Sequence, residues 1–216
     1  MKYIYLSHLI NNDSPLYGGS NDLKISTTKS ILNGDSCNSL KIEMPNHAGT
    51  HIDFPYHFGN GGKKLQDYKA SSWIFCNAYL LKLDVLENQL IKLDDYLTLI
   101  PSDTDLLLLK TNFSKNRGKK NYWNNNPGID SGQADLLKNK FPKLRAVGFD
   151  FISLSSFQNR ELGRIVHREF LIKNDILIIE DMDLQYLNDH PSEVIVSPLS
   201  IENADGAPVT VIAKQK

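Results

Sequence analysis

Short runs of apolar and β-branched residues recur along the chain, separated by polar stretches rich in glycine, proline and asparagine. Apolar runs of about four to eight residues bounded by turn residues are typical of β-strands. The pattern therefore predicts strands at residues 3–6, 23–28, 40–44, 78–83, 106–110, 146–149, 176–180, 194–197 and 208–213. A polar turn at residues 202–206 joins the last two.

Only two segments have the end signals of helices. Residues 131–140 follow Gly128 and Asp130 and precede Pro142, and residues 163–173 end at Asn174, which can cap a helix C-terminus. Residues 111–128 form a long polar connection, for which a functional loop and disorder are both open. Many short strands with few helices indicate a layered α/β or α+β fold. We expect one domain over residues 1–216.

Composition narrows the function classes. Hydrophobic residues make up 41% of the 216 residues, and 24 basic side chains stand against 25 acidic ones. This balance gives no electrostatic reason to expect nucleic acid or an acidic membrane as a partner. Cys37 and Cys76 lack a CxxC arrangement and are expected to be free thiols in a reducing compartment. No signal peptide or membrane span is evident, so we expect a cytoplasmic protein with a small-molecule partner.

The main chemical signal is a cluster of imidazoles and one carboxylate within residues 47–57, formed by His47, His51, Asp53 and His57. Imidazole nitrogen and carboxylate oxygen, with no nearby cysteine, suit zinc or manganese better than copper(I) or calcium. A single histidine is more often a surface or satisfied core group. Half of the chain's six histidines lie in this window, which predicts a metal or acid–base site.

The backbone of residues 47–57 is expected to form a tight loop. Pro45 and Pro55 flank the segment and Gly49 lies inside it, which disfavours a helix. Gly49 would let the backbone approach an ion, and Pro55 would turn the following imidazole back towards it. If the chain is extended locally, His51 and Asp53 share one face.

Three other residues are candidates for the site, and for each a purely structural or surface role is also open. His167 lies in a predicted helix beside charged neighbours, and it fits an exposed helix face as well as a ligand. Glu180 ends an apolar strand, where a solvated strand end and a bridging metal ligand are both open. Tyr17 stands in a loop of turn residues, either as a surface anchor or as a substrate contact.

The pattern His-x-Gly-Thr-His-x-Asp-x-Pro-x-His at residues 47–57 resembles the signature of the metal-dependent cyclase family, whose best-known members are bacterial kynurenine formamidases. Residues 15–19, 148–153, 167–180, 198–201 and 205–209 also match that family. The resemblance therefore covers nearly the whole chain.

This resemblance implies a swivelling β/β/α fold, which is a three-layer α/β arrangement with mixed sheets, in a homodimer or homotetramer. It also implies hydrolysis of a formamide such as N-formylkynurenine in tryptophan breakdown, with one or two Zn²⁺ ions, or Mn²⁺, as cofactor. By resemblance, the first metal is bound by His47, His51 and Asp53, and the second by His167, Asp53 and the bridging Glu180. His57 would be the acid–base residue, and Tyr17 occupies a place where formamidases tend to carry a tryptophan that packs on the substrate ring.

The implied mechanism is attack by a metal-activated water, whose pKa falls from 15.7 to roughly 7, followed by protonation of the leaving nitrogen by His57. No Gly-x-Ser-x-Gly elbow supports a nucleophilic serine instead.

The chain departs from the family pattern mainly in loops that would face the substrate. Gly18 and Ser20 stand where proline and aspartate are usual, Ser155 stands where aspartate is common, and the spacing from His167 to Glu180 is one residue longer than in formamidases. A cyclic amide such as isatin, a lactone or another ester therefore stays open as substrate. In another class, a metal-binding protein without catalysis stays open too.

Overall fold

The computed structural model describes residues 2–215. Its strands are β1 (Lys2–Tyr5), β2 (Lys24–Lys29), β3 (Ser39–Glu43), β4 (His51–Asp53), β5 (Ile74–Phe75), β6 (Ala78–Lys82), β7 (Leu90–Ile91), β8 (Leu106–Lys110), β9 (Gly128–Ile129), β10 (Ala146–Phe149), β11 (Leu177–Glu180), β12 (Glu193–Pro198) and β13 (Gly206–Gln215). Its α-helices are α1 (Asn121–Asn124), α2 (Gln133–Lys140) and α3 (Arg160–Arg168), and α3 continues into a π-helical turn, Glu169–Lys173.

One large mixed sheet organises these elements, in the order β5-β12-β13-β4-β11-β10-β8-β6, with β1 also paired to β13. Strands β6, β8, β10 and β11 run parallel to one another. The other half is antiparallel, and the three-residue strand β4 joins the two halves by pairing antiparallel with both β11 and β13. The metal-ligand candidates of β4 thus lie at the centre of the sheet.

Two apolar cores lie on opposite faces of the parallel half. Leu106 and Leu108 of β8 belong to the core that this half shares with the antiparallel strands, because the sheet curls over it. Leu107 and Leu109 alternate to the other face and pack against the helices, where Phe170 and Leu137 are buried. The result is two β layers and one helical layer, which confirms the expected β/β/α arrangement with mixed sheets.

Most predicted elements are confirmed, with shifts of a few residues at their ends. The second predicted helix begins earlier than expected, at Arg160, and Asn174 does cap its C-terminal end by donating its backbone N–H to Glu169 O. The predicted loop at residues 47–57 is wrong at its centre, where His51–Asp53 is a buried strand. Pro55–His57 then forms a 3₁₀ turn. The connection 111–128 folds into a 3₁₀ turn, Phe113–Asn116, and α1.

A two-stranded hairpin of β2 and β3 stands apart from the large sheet. Leu32 at its tip and Leu40 and Ile42 along it are exposed. None of the helices within residues 2–215 has the length and apolar character needed to cross a bilayer.

Candidate metal centre

Two paired strands bring three polar side chains onto one face of the sheet. Because side chains alternate along a strand, His51 and Asp53 of β4 point to the helical side, while Ile52 points into the opposite core. Strand β11 places Glu180 directly across from His51. His51, Asp53 and Glu180 are only 4%, 1% and 4% exposed.

His167 reaches the same place from α3. Its Nε2 atom lies 3.8 Å from Asp53 Oδ2 and 3.6 Å from Glu180 Oε1. The Nε2 atom of His51 lies 3.5 Å from Asp53 Oδ1 and 3.4 Å from Glu180 Oε2. The two imidazoles therefore stand on either side of the carboxylate pair, and each faces one oxygen of both carboxylates.

Backbone carbonyls hold the other ring nitrogen of each imidazole. His51 Nδ1 donates to Gly49 O at 2.8 Å, and His167 Nδ1 donates to Gly163 O at 2.7 Å. A carbonyl can only accept, so Nδ1 carries the proton and Nε2 is left to bind. Gly49 has a φ of 65°, a left-handed conformation that glycine adopts without strain, and the backbone bends there as the sequence predicts.

This donor set fits a divalent metal ion. Donors bound tetrahedrally at about 2.0–2.1 Å lie ~3.3 Å from one another. The Nε2–oxygen separations of His51 and His167 are 3.4–3.8 Å, longer than most hydrogen bonds and close to that spacing. The arrangement offers one metal position beside His51 and another beside His167. Asp53 and Glu180 lie close enough to bind an ion at either position.

The buried groups of the site perturb one another's ionisation. Burial lowers the pKa of His51 and His167, but the negative charges of the nearby Glu180 and Asp53 carboxylates outweigh it and raise both pKa values. Burial raises the pKa of Glu180, but His167 and His51 bring it well below its usual value. Glu180 is therefore ionised at neutral pH, as a metal ligand must be.

His47 and His57 lie beside this cluster and are joined by Asp205. His47 Nδ1 is 2.9 Å from Asp53 Oδ1, and its Nε2 is 3.1 Å from Asp205 Oδ2. His57 Nδ1 donates to the same Asp205 oxygen at 2.7 Å, and no group within residues 2–215 bonds its Nε2. Burial lowers the pKa of His47, but its bonds to Asp205 and Asp53 raise it to about 10. His57 thus has one nitrogen anchored and one free.

Sequence reasoning missed Asp205. It treated residues 202–206 as a polar turn, whereas the Asp205 carboxylate contacts both outer histidines and also accepts a bond from Asn46 Nδ2 at 2.7 Å. The sequence signal that could have identified Asp205 was the match of residues 205–209 to the family pattern. Antiparallel pairing of β13 with β4 explains the contact, because it sets Gly206 opposite Asp53.

A cavity of about 400 Å³ opens over these groups. Its lining includes the six predicted metal and acid–base residues and also the substrate candidate: His47, His51, Asp53, His57, His167, Glu180 and Tyr17. Tyr17 is 37% exposed, and its ring packs edge-on against Phe157 with centroids 5.7 Å apart. The structure therefore brings every predicted site residue together, although their individual roles stay predictions.

Between His167 and Glu180, α3 continues into a π-helical turn at Glu169–Lys173. A π-helical turn holds more residues than an α-helical turn. His167 Nε2 lies 3.8 Å from Asp53 Oδ2 and 3.6 Å from Glu180 Oε1 with this turn in place. Ser155, where the family often has aspartate, lies with its Oγ 3.3 Å from His167 Nδ1.

A buried ion pair supports the end of β11. Asp181 is 1% exposed. Arg117 donates two hydrogen bonds to its carboxylate, from Nε to Oδ1 at 3.0 Å and from Nη2 to Oδ2 at 2.9 Å. The Tyr122 hydroxyl also donates to Asp181. Arg117 and Tyr122 both come from the connection 111–128, so that segment fixes the residue next to Glu180.

Comparisons with known proteins identify relatives of this chain. The family model "Putative cyclase" matches residues 4–156. The kynurenine formamidase of Bacillus mycoides (strain KBAB4) is 30% identical over 214 residues, covering 99% of this chain and 97% of that protein. The kynurenine formamidase of Bacillus anthracis is 29% identical with the same coverage. Isatin hydrolase A from Ralstonia solanacearum has the same fold, with a TM-score of 0.81 at 18% identity, covering 100% of this chain and 92% of that one.

Proposed function

The chain belongs to the cyclase family, and from that membership we propose that it is a metal-dependent hydrolase that opens the C–N bond of an aryl formamide, with N-formylkynurenine as the leading substrate. Relatives named kynurenine formamidase match over 99% of the chain. The structural observation that carries the proposal is the pair of imidazole Nε2 atoms facing both oxygens of two buried carboxylates. A chain that only needed stability would rarely bury such a set.

Zinc is the proposed metal, as one or two ions, with manganese as the alternative. His47, His51 and Asp53 would bind the first ion, and His167 the second, while Asp53 and Glu180 are shared. Imidazole and carboxylate donors in a tetrahedral spacing favour zinc. When bound, such an ion supplies a hydroxide nucleophile at neutral pH and stabilises negative charge on the carbonyl oxygen.

His57 is the proposed proton carrier. Asp205 Oδ2 accepts a hydrogen bond from His57 Nδ1 at 2.7 Å. This leaves Nε2 as the basic atom of a ring that lines the cavity. Nε2 takes a proton from the attacking water and then gives it to the amide nitrogen as the C–N bond breaks. Formate and an arylamine leave as products. Asp205 holds the ring in the tautomer that this transfer needs.

Tyr17 is the proposed contact for the substrate's aromatic ring. Its ring lines the cavity and is fixed against Phe157, so an aryl group can pack on it at little entropic cost. Opening the ring of a cyclic amide such as isatin would use the same groups.

We also propose that the protein is a cytoplasmic homodimer or homotetramer. Two observations support this. Cys37 and Cys76 are exposed free thiols, as expected in a reducing compartment. The hairpin of β2 and β3 carries exposed Leu32, Leu40 and Ile42, which a second copy could cover.

A turnover assay with controlled metal content tests the proposal. The purified protein is stripped with a chelator, reloaded with Zn²⁺ or Mn²⁺, and assayed on N-formylkynurenine, formanilide, isatin and an aryl lactone. We expect no hydrolysis without metal and recovery on reloading. A fully metal-loaded protein that hydrolyses none of the four compounds would instead be a metal-binding protein without catalysis.

A further inference from the structure

Two arginines line the same cavity on the side of α3. Arg160 and Arg164 are four residues apart, so they lie on one face of the helix that also carries His167. Within residues 2–215, the arginine ion pairs are made by Arg117 and Arg145 and not by these two. Two arginines that form no ion pair among the described residues therefore line the cavity.

Helix stability does not explain the two arginines. Arg160 is the first residue of α3, where the helix dipole disfavours a positive charge. Arg160 and Arg164 also form a like-charged pair at a spacing of four residues, which is unfavourable. Both residues are exposed, so they do not fill the core either.

Local contacts orient Arg160 towards the Tyr17 loop. Its guanidinium lies over the Phe157 ring, 4.0 Å from the centroid, and its Nε donates to Phe157 O at 3.4 Å. The same Phe157 ring packs against Tyr17. Burial raises the pKa of the Tyr17 hydroxyl, and the positive charges of Arg160 and Arg164 oppose that rise.

We propose that Arg160 and Arg164 form an anion subsite that selects formamides carrying a carboxylate on or near the aryl group. This inference rests on the proposed function, because it assigns the part of the substrate that does not react. The floor of the cavity carries the carboxylates Asp53 and Glu180, whereas the arginines supply a separate positive region. Guanidinium groups bind carboxylates through paired, charge-assisted hydrogen bonds.

Helix geometry limits the size of the substrate. At 1.5 Å rise per residue, Arg164 and Arg160 lie about 4.5 Å and about 10.5 Å along the axis from His167. A carboxylate separated from the formamide by an aromatic ring, or by a ring and a short chain, spans this range. A neutral cyclic amide has no group for the subsite.

A matched pair of substrates tests the subsite. 4-Formamidobenzoate carries the anion across the ring from the formamide, and 4-formamidobenzamide is its neutral equivalent. For Arg160→Gln and Arg164→Gln, we expect KM for the benzoate to rise about tenfold or more with kcat nearly unchanged, because a charge-assisted bond is lost. Kinetics on the benzamide should not change. Arg168→Gln is the matched control, since Arg168 is on the same helix but does not line the cavity.

Equal effects of Arg160→Gln and Arg164→Gln on both substrates would overturn the subsite, because the arginines would then only balance the acidic floor. A binding measurement separates this failure from failure of the proposed function. Calorimetry of the zinc-loaded protein with 4-aminobenzoate and 4-aminobenzamide needs no turnover. Preferential binding of the benzoate that both variants lose supports the subsite even if no formamide is hydrolysed. Binding of the benzoate that survives in both variants overturns it.

Discussion

Asp205→Asn removes the negative charge that His47 and His57 share and preserves the size of the side chain. Asp205 Oδ2 accepts hydrogen bonds from His57 Nδ1 at 2.7 Å and from His47 Nε2 at 3.1 Å. The amide of asparagine can still accept one such bond but cannot compensate a positive charge. If His57 carries the proton, this change weakens catalysis through His57 without removing a metal ligand.

The magnitude follows from the bond that changes. A hydrogen bond to a charged group contributes about 1.5–3 kcal/mol. The side chain of Asp205 is 33% exposed, so solvent screens it and the lower end applies. About 1.4 kcal/mol corresponds to a tenfold change in rate, and we expect kcat to fall about tenfold. His57→Ala removes the proton carrier itself and should lower kcat by about 10²–10⁴.

The assay is a double-mutant cycle on formanilide with metal content measured for each protein. Asp205→Asn, His57→Ala and the double variant are compared with Asp103→Asn, which changes an exposed aspartate. If Asp205 acts through His57, the double variant is no slower than His57→Ala. Metal content should stay at the level of the unmodified protein in all four.

Three results would refute this reasoning. If Asp205→Asn loses metal together with activity, Asp205 acts through His47 and the metal instead. If His57→Ala loses metal, His57 is itself a ligand, because it lies with His47 and Asp205 in a group that could hold an ion. A double variant about tenfold slower than His57→Ala would give Asp205 a role of its own.

Three further predictions concern the support of the site. Arg117→Met leaves the buried Asp181 carboxylate without its cation and should lower the free energy of unfolding by about 3–5 kcal/mol in urea titrations; a change below about 1 kcal/mol would contradict this. Gly163→Ala places a methyl group against Ser155 and should cost about 1–3 kcal/mol, seen as a lower Tm; an unchanged Tm would mean that α3 shifts freely. In protein stripped of metal, the pKa of Glu180 is lower in the folded state than its ordinary value of 4.5. The ionised carboxylate therefore stabilises the fold at pH values above 4.5, and this contribution is lost as the pH falls below 4.5. Glu180→Gln should therefore flatten the acid limb of stability against pH, and parallel curves for the two proteins would disprove the assignment.

The sequence contains the local part of the site. His51 and Asp53 are two residues apart, and this spacing alone puts both on one face once the chain is extended. The sequence does not reveal that the chain is extended there. Pro45, Gly49 and Pro55 all indicate a loop, and the pairing that overrides them comes from β11 and β13, whose residues lie far along the chain. Local patterns cannot report such long-range pairing.

Asp205 is a second case in which a local sequence pattern does not reveal a long-range contact. Its neighbourhood has the composition of a polar turn, and it is a turn. Its contact with His57 depends on how the sheet curls and not on any local signal. The family resemblance was needed to connect His167 and Glu180 with the first cluster, because their spacing alone left them as an exposed helix face and a solvated strand end.

The central position of β4 also determines when the site can form during synthesis. Residues 51–53 emerge early, but the strands on either side of β4 are complete only when residues 180 and 208 have been made. At roughly 5–20 residues per second, that delay is on the order of ten seconds. During this interval the first imidazoles and the first carboxylate have no sheet to hold them, so the nascent chain can bind an ion only weakly. We therefore expect metal binding to be among the last events in the maturation of the protein.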